Sequence, residues 1–345
     1  MFRVRGLAGR SFNDVDAVVG TFLRRSSSSA NSGRIWKGRR IEFLLLMLGK
    51  IMSDLVSVII PCYGQSRYLG EAIESTLAQA HSRVEVIVVD DGSPDETAEV
   101  ASRYSAVKLI RQENRGVAAA RNVGLEVSRG EYIVFLDADD RLLPQALRMG
   151  LKAMATDGDL AFVFGKCQYI DASGQPIPTP MQFQSEGIES YYSFLLECAC
   201  PIWHTAIVMF RRRALEVAGG FNADFNPAED YELYLRLARR WPIRYHDGVV
   251  AEYRVHHASM SSDPLRMLRA VAKALNSQKG YVEGDSGLRD AWERGLDLCR
   301  RYYGGLCVLK IKEDIRKKGF HPSSLHMILD LLRCAPGQFV DFIRG

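Results

Sequence analysis

Three aspartates directly follow a short apolar run near the middle of the chain. The run is Tyr132 to Leu136, and Asp137, Asp139 and Asp140 come immediately after it. Such a run, with polar residues at both ends, indicates a buried strand of a parallel sheet, and open α/β sheets bind ligands at the carboxyl ends of their strands. Unpaired buried carboxylates are costly, and hard divalent cations prefer oxygen ligands. The sequence therefore favours a metal site here, with a polar turn before a helix as the alternative.

A second pair of acids follows another apolar run. Asp90 and Asp91 come directly after Val84–Val89, where a carboxylate can accept hydrogen bonds from a base or from ribose hydroxyls. The alternative is the start of a helix, but Ser93 and Glu96 form a capping-box pattern that already predicts the helix cap. The sequence contains neither GxGxxG nor GxxxxGK(S/T). A bound pyrophosphate would therefore need a metal rather than a glycine-rich loop to neutralise it.

Two arginines flank the start of a predicted helix that is rich in small residues. The helix spans Val117 to Val127, Asn114–Gly116 forms the turn before it, and Arg115 and Arg121 lie on either side of its first residue. Guanidinium groups suit phosphate recognition, and small residues allow a backbone to approach a ligand closely. Both arginines are candidates for binding a phosphate, with a surface salt bridge as the alternative for each.

A later helix carries an adjacent pair of acids, Glu229 and Asp230. Leu233, Tyr234 and Leu237 follow Asp230 at i+3, i+4 and i+7, so Asp230 is predicted to lie on the apolar face of its helix. Burial would raise the pKa of its carboxyl and suit it to be a general base. The alternative is a first-turn residue that the helix dipole favours.

Two pairs of residues that include histidines border predicted strands. Trp203-His204 precedes one strand, and His256-His257 follows another. A lone histidine is usually structural, but a histidine after a strand can bind a metal or a phosphate. His256 is therefore a candidate metal ligand.

The elements that must position these residues alternate between strands and helices. This order predicts an α/β fold with a doubly wound, mostly parallel sheet and helices on both faces. The two acidic strand ends should then face one crevice at the same edge of the sheet. Residues 171–187 form a Pro/Gly-rich loop that is predicted to be a lid or a binding loop. From Leu265 onward the pattern is helical, with basic and apolar residues interleaved.

Charge and cysteine content exclude several classes of protein. The net charge of the 345 residues is +4, but residues 1–52 carry ten Lys/Arg and three Asp/Glu, so the remainder sums to −3. A near-neutral body argues against nucleic-acid binding. Seven cysteines without CxxC spacing argue against a disulfide framework or a zinc site and favour a cytoplasmic location.

Three regions are predicted along the chain. Residues 1–52 are a basic, low-complexity extension that we expect to be disordered, and Met52 is an alternative start of translation. Residues 53–260 form the catalytic domain and residues 261–345 a C-terminal helical region. No run reaches the roughly 18 apolar residues of a spanning helix. The apolar stretch Leu325 to Ile343 favours either peripheral contact with the cytoplasmic face of a membrane or dimerisation.

Residues 56–257 resemble the family 2 glycosyltransferases with the GT-A fold. Four separated stretches carry the resemblance in the family's order: VSVIIPCYGQSRYLGEAIESTLAQ, VEVIVVDDGSPDET, ENRGVAAARNVGLEVSRGEYIVFLDADD and GGFNADFNPAEDYELYLRLARR. The resemblance implies that Asp137-Ala138-Asp139 is a DxD motif that binds Mg²⁺ or Mn²⁺ and a sugar nucleotide. It also implies that Asp91 contacts the nucleotide base and that Asp230 is the catalytic base.

The full set of candidate contacts combines this resemblance with the residue patterns described above. The donor nucleotide, with UDP as the favoured nucleotide, is expected to contact Pro61, Tyr63, Asp91, Arg115, Arg121, Asp137 and Asp139. The expected metal ligands are Asp139, Asp137 and His256. Three residues are expected to contact the acceptor or to support the acids: Glu229, Trp203 and His204.

One departure from the family concerns processive synthesis. Processive members carry QxxRW, whereas this chain has Leu237 in place of the glutamine before Arg240-Trp241. The resemblance therefore implies a non-processive, metal-dependent, inverting transferase that moves a sugar to the hydroxyl of a glycan or lipid-linked acceptor. The expected setting is the assembly of bacterial-type surface polysaccharide or glycoconjugate.

Three other functions were weighed against this one. A response-regulator receiver would need a lysine on a later strand, but after Lys166 the next lysine is Lys273. A nucleotidyltransferase would need a Gly-rich basic loop after its first strand, where this chain has CYGQSRY. A catalytically silent module that binds sugar nucleotides would share every motif, and only an assay of transfer separates it from an enzyme.

Overall fold

The structure is a computed structural model that describes residues 54–81, 83–179, 188, 190–197, 202, 204–256 and 263–337. Several predictions fall on other residues. The basic extension, the start at Met52, the contact by Trp203 and residues 180–187 of the predicted loop all lie outside the described residues. The chain from Ser53 to Gly345 forms one compact unit. A boundary between domains near residue 260 stays a prediction.

Within the described ranges, nine strands form one sheet. In chain order they are β1 Val56–Cys62, β2 Val84–Asp90, β3 Val107–Arg111, β4 Tyr132–Phe135, β5 Arg141–Leu142, β6 Phe162–Ile170, β7 Pro176–Ile177, β8 Val208–Arg211 and β9 Ile243–Arg254. Their order across the sheet is β3-β2-β1-β4-β8-β6-β9-β5, and β7 pairs with β6. Pairings among β1 to β4 are parallel, as is β6 with β9, whereas β8 is antiparallel to both of its neighbours.

Helices fill most of the intervening segments. They are α1 Ser66–Leu77, α2 Thr97–Ser102, α3 Val117–Val127, α4 Ala146–Met154, α5 Tyr191–Leu196, α6 Arg212–Ala218, α7 Glu229–Ala238, α8 Pro264–Asn276, α9 Lys279–Val282, α10 Ser286–Lys318 and α11 Pro322–Cys334. Two 3₁₀ turns, Thr205–Ile207 and Ala223–Phe225, precede β8 and α7. The predicted α/β class with a C-terminal helical region is confirmed.

The central strand β1 is buried along its whole length, which explains its continuous apolar sequence. Helix α3 packs against β1 and β2. A Cβ added at Gly124 of α3 would lie 2.3 Å from Ile59 Cγ2 and 3.3 Å from Val89 Cγ2. The small residues of α3 therefore let the helix approach the sheet more closely than larger side chains would allow.

Two local predictions were wrong. The capping-box pattern predicts a helix from residue 94, but α2 begins at Thr97 and its N-cap, Glu96, makes no side-chain cap bond. The Ser93 hydroxyl instead accepts a hydrogen bond from the Gly64 N–H at 3.1 Å. A strand was predicted from Thr205, but residues 205–207 form a 3₁₀ turn. At Ser93 a tertiary hydrogen bond outweighs the local pattern.

The C-terminal helices pack on one another and on α5 and α7. Among the residues that the structure describes, none of the helices is both long and apolar enough to cross a bilayer.

Candidate active site

The topology brings the two acidic strand ends together. β1 lies between β2 and β4 and is parallel to both, with Cys62 opposite Asp90 and Ile59 opposite Phe135. Asp91 comes directly after the end of β2, and Asp137 comes two residues after the end of β4. The carboxyl ends of three adjacent parallel strands thus form one edge, as the sequence predicts.

The Asp91 carboxylate organises the turn that leads into α3. It is 3% exposed, and its Oδ1 accepts hydrogen bonds from the Gln112 side-chain amide at 2.6 Å and the Arg115 N–H at 2.9 Å. Its Oδ2 accepts from the Gly116 N–H at 2.8 Å. Gly116 has a φ of 87°, which a residue with a side chain rarely adopts. A carboxylate has about four lone-pair sites, so three protein donors leave Asp91 capacity for one further donor.

The Asp90 side chain faces its own turn. It is fully buried, and its Oδ1 accepts a hydrogen bond from the Ser93 N–H at 2.8 Å. Its Oδ2 lies 3.2 Å from Nε of Arg111, a largely exposed residue. Asp90 therefore supports the turn, and Asp91 is the acid that faces the loop before α3.

A buried arginine links the first acid of the DADD sequence to the acidic pair of α7. Arg121, on α3, has a side chain that is 4% exposed. Its Nη2 donates to Asp137 Oδ1 and its Nη1 to Glu229 Oε1, both at 2.8 Å. Burial lowers the pKa of Arg121, but the charges of the nearby carboxylates raise it by more. The net effect is a raised pKa, so the guanidinium stays protonated. The arginine balances two acids that come from elements far apart in the sequence.

The exposed fractions separate the two acids that Arg121 binds. The Asp137 side chain is 34% exposed, whereas that of Glu229 is 4% exposed. Asp137 can therefore reach a ligand from its free oxygen, and Glu229 serves mainly to hold Arg121. Both terminal nitrogens of Arg121 bind carboxylates of the protein, whereas the sequence predicted that Arg121 binds a phosphate of the donor.

Asp139 is paired with the candidate histidine. The His256 Nε2 and Asp139 Oδ2 atoms are 2.7 Å apart, and the side chains are 11% and 21% exposed. His256 also stacks on Tyr68, with 5.7 Å between the ring centroids. Burial, followed by the charge of Asp137, raises the pKa of Asp139, and the bond from His256 opposes the rise. The structure thus places His256 beside Asp139, which was predicted to be a ligand of the same metal.

Asp140 belongs to the scaffold of this turn. Its side chain is buried, and Oδ1 accepts a hydrogen bond from the Arg254 N–H at 2.8 Å. Burial, followed by the charge of Asp139, raises the pKa of Asp140 well above its ordinary value. Asp140 therefore fixes the turn to the end of β9.

The end of β9 provides a buried arginine that the sequence analysis missed. Arg254 is 1% exposed, its Nε donates to the Asp139 carbonyl at 2.8 Å, and its Nη2 donates to Glu71 at 2.7 Å. Its guanidinium lies 4.5 Å from the Tyr68 ring centroid. Arg254 holds the backbone of the acidic turn at the position where its carboxylates are needed. The sequence did contain a signal for Arg254, since this arginine ends the largely apolar strand segment VVAEYR.

Asp230 has the electrostatic surroundings that a general base requires. It is only partly buried, and the more deeply buried member of the pair is Glu229. Burial and the neighbouring Glu229 charge raise the pKa of Asp230 to about 7, and the Arg121 charge opposes the rise. The Asp230 carboxylate accepts a hydrogen bond from the Tyr231 N–H at 2.7 Å. Near neutral pH about half of such carboxyls are ionised and able to accept a proton.

His204 lies against the last strand. Its ring stacks on Tyr253, with 3.5 Å between centroids, and burial lowers its pKa to about 3. His204 is therefore neutral over the physiological range. Within the described part of the chain its Nε2 has no hydrogen-bond partner.

The other predicted donor contacts differ in their exposure. Pro61 is buried within β1, opposite Val89, so its ring is not exposed for contact with a nucleotide. Tyr63 is 53% exposed on the turn after β1. Arg115 is exposed, and its Nη2 lies 3.4 Å from the Gln112 side-chain oxygen. Tyr63 and Arg115 can both reach a ligand outside the strand ends.

The acidic turn can hold a metal only together with a ligand. Among the described residues no group of three His, Cys, Asp or Glu side chains is arranged to hold a metal ion. Asp137 and Asp139 are partly exposed at one edge, and Mg²⁺ sites commonly combine one or two carboxylates with substrate phosphates and water. The donor set therefore fits a metal that is shared between the protein and a diphosphate.

Comparison with known proteins agrees with this geometry. Residues 57–219 match the family described as Glycosyl transferase family 2. The chain is 33% identical over 212 residues to a chondroitin synthase of Escherichia coli, a match that covers 60% of this chain. It spans only 30% of the length of that relative and 35% of two further curated relatives.

Two solved structures share the fold. S. aureus TarS 1–349, in complex with UDP-GlcNAc, has a TM-score of 0.56 and 17% identity, with coverage of 84% of this chain and 92% of that chain. Mannosyltransferase PcManGT from Pyrobaculum calidifontis, in complex with GDP-Man and Mn²⁺, has a TM-score of 0.52 and 21% identity, with coverage of 83% and 86%. At these identities the likeness supports the fold alone, and that fold is the predicted GT-A type.

Proposed function

Because this chain belongs to glycosyl transferase family 2, we propose that it transfers a sugar from a nucleotide-diphosphate sugar to an acceptor hydroxyl. The observation that carries the proposal is the link made by Arg121, whose guanidinium lies 2.8 Å from both Asp137 and Glu229. This link joins the acids at the strand ends to helix α7, which begins at Glu229 and carries Asp230. One site can then bind a donor diphosphate and present a base to the acceptor.

The donor nucleotide is proposed to lie over the carboxyl ends of β1 and β2. Asp91 would use its remaining lone-pair site for a ring N–H of the base, such as that of uracil, and the donor is proposed to be a UDP-sugar. The exposed Tyr63 and Arg115 would contact the base and the diphosphate. The complexes of TarS with UDP-GlcNAc and of PcManGT with GDP-Man support a nucleotide-sugar donor of this kind.

Asp139 and Asp137 are proposed to hold Mg²⁺ or Mn²⁺ together with the donor diphosphate, with His256 as a ligand or as the partner that orients Asp139. When bound, the metal would stabilise negative charge on the leaving diphosphate. The Mn²⁺ in the PcManGT complex supports this assignment. Arg121 and Arg254 contribute by fixing Asp137 and the Asp139 backbone in place.

Asp230 is proposed to remove the proton of the acceptor hydroxyl. As the hydroxyl oxygen attacks the anomeric carbon, its proton passes to the Asp230 carboxylate, and the bond between that carbon and the diphosphate oxygen breaks. Attack from the face opposite the leaving group inverts the configuration at the anomeric carbon. A carboxyl with a pKa of about 7 accepts a proton effectively near neutral pH.

The setting of the reaction is proposed from the relatives and the surface. The name of the chondroitin synthase supports a role in polysaccharide or glycoconjugate assembly, with a glycan or lipid-linked acceptor. Helices α10 and α11 expose large apolar side chains, among them Leu309 at 65% and Leu325 at 44%. These support the predicted peripheral contact with the cytoplasmic face of a membrane, or dimerisation through the same helices.

A donor screen followed by base substitution tests the proposal. UDP-, GDP- and TDP-sugars would be offered with Mn²⁺ and with EDTA, and release of the nucleoside diphosphate would be measured. We expect one donor class to be turned over only with the metal. Asp230→Asn should abolish transfer while donor affinity by calorimetry stays within about tenfold, because the base touches the acceptor side.

The controls separate the rival functions. Asp139→Asn should weaken donor binding strongly, and Asp297→Asn, at an exposed residue of α10, should change neither quantity. Equal loss of donor binding in the Asp230 and Asp139 variants would contradict the assignment of the base. Donor binding without turnover against any acceptor would instead indicate a catalytically silent binding module.

A further inference from the structure

A cavity of about 410 Å³ lies between α8 and the 3₁₀ turn Ala223–Phe225. Its volume falls within the roughly 300–1,000 Å³ typical of small-molecule sites. The polar lining comprises three basic side chains, two acidic ones and an amide: Arg266, Arg269, Lys273, Asp224, Asp263 and Asn226. None of these residues belongs to the donor site described above.

The basic side chains share one face of α8. Arg266, Arg269 and Lys273 are spaced at i, i+3 and i+7 and are exposed. Arg269 forms an ion pair with Asp330 at 2.6 Å. The Arg266 guanidinium donates to the Asn226 side-chain oxygen at 3.0 Å, and the Lys273 ammonium donates to the Asp224 carbonyl at 2.7 Å. In the described ranges, neither Arg266 nor Lys273 has a carboxylate within ion-pair distance.

The acids of the lining do not balance this charge. Asp263 accepts hydrogen bonds from the backbone N–H groups of Leu265 and Arg266 as the N-cap of α8, and it lies 3.9 Å from Lys310. Asp224 is then the acid that remains opposite Arg266 and Lys273. An excess of positive charge therefore faces the cavity.

The cavity adjoins the proposed active site. Asn226 lines it and comes four residues before Asp230. The Asn226 side-chain nitrogen also lies 3.7 Å from the position that a Cβ would take at Gly116, whose N–H is bound by Asp91. A ligand in the cavity would thus contact Asn226, which lies close to the loop before α3 and precedes the proposed base by four residues.

We infer that this cavity binds an anionic group of the acceptor, either a phosphate ester or a carboxylate, beside the hydroxyl that receives the sugar. The inference rests on the proposed function, because only a transferase has an acceptor to bind. Arg266 supplies a planar fork that matches either oxyanion, and Lys273 supplies a point charge. The Phe225 ring, 4.9 Å from the Lys273 ammonium, gives the cavity an apolar wall.

Calorimetry with three matched sugars tests this inference without any transfer reaction. Glucose 1-phosphate, glucuronate and glucose would be titrated into the full chain in EDTA at low ionic strength. We expect the two anions to bind and glucose to bind at least tenfold more weakly. The tighter anion identifies the group that the acceptor carries. Equal binding of glucose and both anions would overturn the inference.

Variants locate the binding. Arg266→Gln combined with Lys273→Gln should weaken binding of the anions by about tenfold or more, since charge-assisted hydrogen bonds are lost. Arg266→Lys should retain most of the affinity, and Arg316→Gln, at an exposed residue of α10, should retain all of it. Unchanged affinity in the double variant would refute the site, and so would loss of affinity in Asp139→Asn.

Donor hydrolysis without acceptor separates the two proposals. The double variant should hydrolyse the donor at the wild-type rate, because Arg266 and Lys273 lie outside the donor site. If the wild type turns over no donor with any acceptor, the proposed function fails, whereas the result on anion binding still stands. If donor is turned over but the double variant binds the anions normally, the inference alone fails.

Discussion

Replacing Arg121 by methionine removes the one positive charge that Asp137 and Glu229 share. The methionine fills much of the same volume, so the main change is electrostatic. Glu229 would then be a carboxylate with 4% exposure and, among the described residues, no other cation paired with it. Removing one partner of a buried ion pair typically costs about 3–5 kcal/mol, because it leaves an uncompensated charge. We expect the free energy of unfolding of Arg121→Met to fall by about 4 kcal/mol at pH 7.

The same change should alter the proposed base. The positive charge of Arg121 holds down the pKa of Asp230, which burial and Glu229 raise to about 7. Without that charge the pKa of Asp230 rises further. On the acid side of the pH profile, kcat/KM falls as the base becomes protonated. The midpoint of this fall should therefore move to higher pH by about one unit.

Urea unfolding and a pH–rate profile measure both effects. Arg301→Met is the matched control, because Arg301 pairs with Asp297 on the surface, where both side chains are more than 60% exposed. Such a pair contributes about 0–1 kcal/mol. Adding Glu229→Gln to Arg121→Met should recover about half of the lost stability, since the unpaired buried charge is gone.

Two results would refute the reasoning. The first is an Arg121→Met variant that unfolds at the wild-type urea concentration. The second is a stability loss with an unchanged midpoint of the acid-side fall in kcat/KM, which would mean that Arg121 is structural and does not act on Asp230.

The remaining predictions concern the base, the scaffold and the metal. Because the native pKa of Asp230 is raised to about 7, roughly three units above its ordinary value, ionisation of Asp230 destabilises the native state; this loss is absent below about pH 4 and is complete above pH 7. Asp230→Asn should therefore be more stable than wild type by about 4 kcal/mol at pH 8 and equally stable at pH 4, measured by urea unfolding. Arg254→Met should lower the free energy of unfolding by about 2 kcal/mol and weaken donor binding with Mn²⁺, because the Asp139 carbonyl loses a hydrogen bond from a charged donor; normal donor affinity in a folded variant would argue against a positioning role. His256→Ala should lower Mn²⁺ affinity, titrated in the presence of the nucleoside diphosphate, by about 10- to 100-fold, and equal Mn²⁺ affinity in both proteins would remove His256 from the metal site.

Local patterns predicted the elements that carry the acids. The predicted bounds of Val117–Val127 agree with helix α3, and the strands before Asp91 and Asp137 end within one residue of their predicted ends. These elements are set by hydrophobic periodicity and by the turns at their ends, which neighbouring residues determine. The shared edge of the sheet then followed from the parallel topology alone.

Nonlocal contacts were beyond the reach of such patterns. β8 pairs with β4 in the antiparallel direction, although 72 residues separate the end of β4 from the start of β8, and nothing in either strand specifies the partner. Arg254 reaches Glu71 across 183 residues. Ser93 failed as a cap because its hydroxyl binds the Gly64 N–H, from the turn after β1. In each case the deciding partner lies far away in the sequence.

The three hydrogen bonds that Asp91 accepts from the loop before α3 bear on the kinetics of donor association. The Arg115 and Gly116 amides are already fixed by the Asp91 carboxylate within the protein. Fixing the backbone of one residue costs about 1–2 kcal/mol in conformational entropy, and here folding rather than binding meets that cost. A nucleotide that meets a preordered loop associates in a single step, so its observed rate should rise linearly with nucleotide concentration and show no plateau. Asp91→Asn would loosen the loop and introduce an ordering step, visible as saturation of that rate.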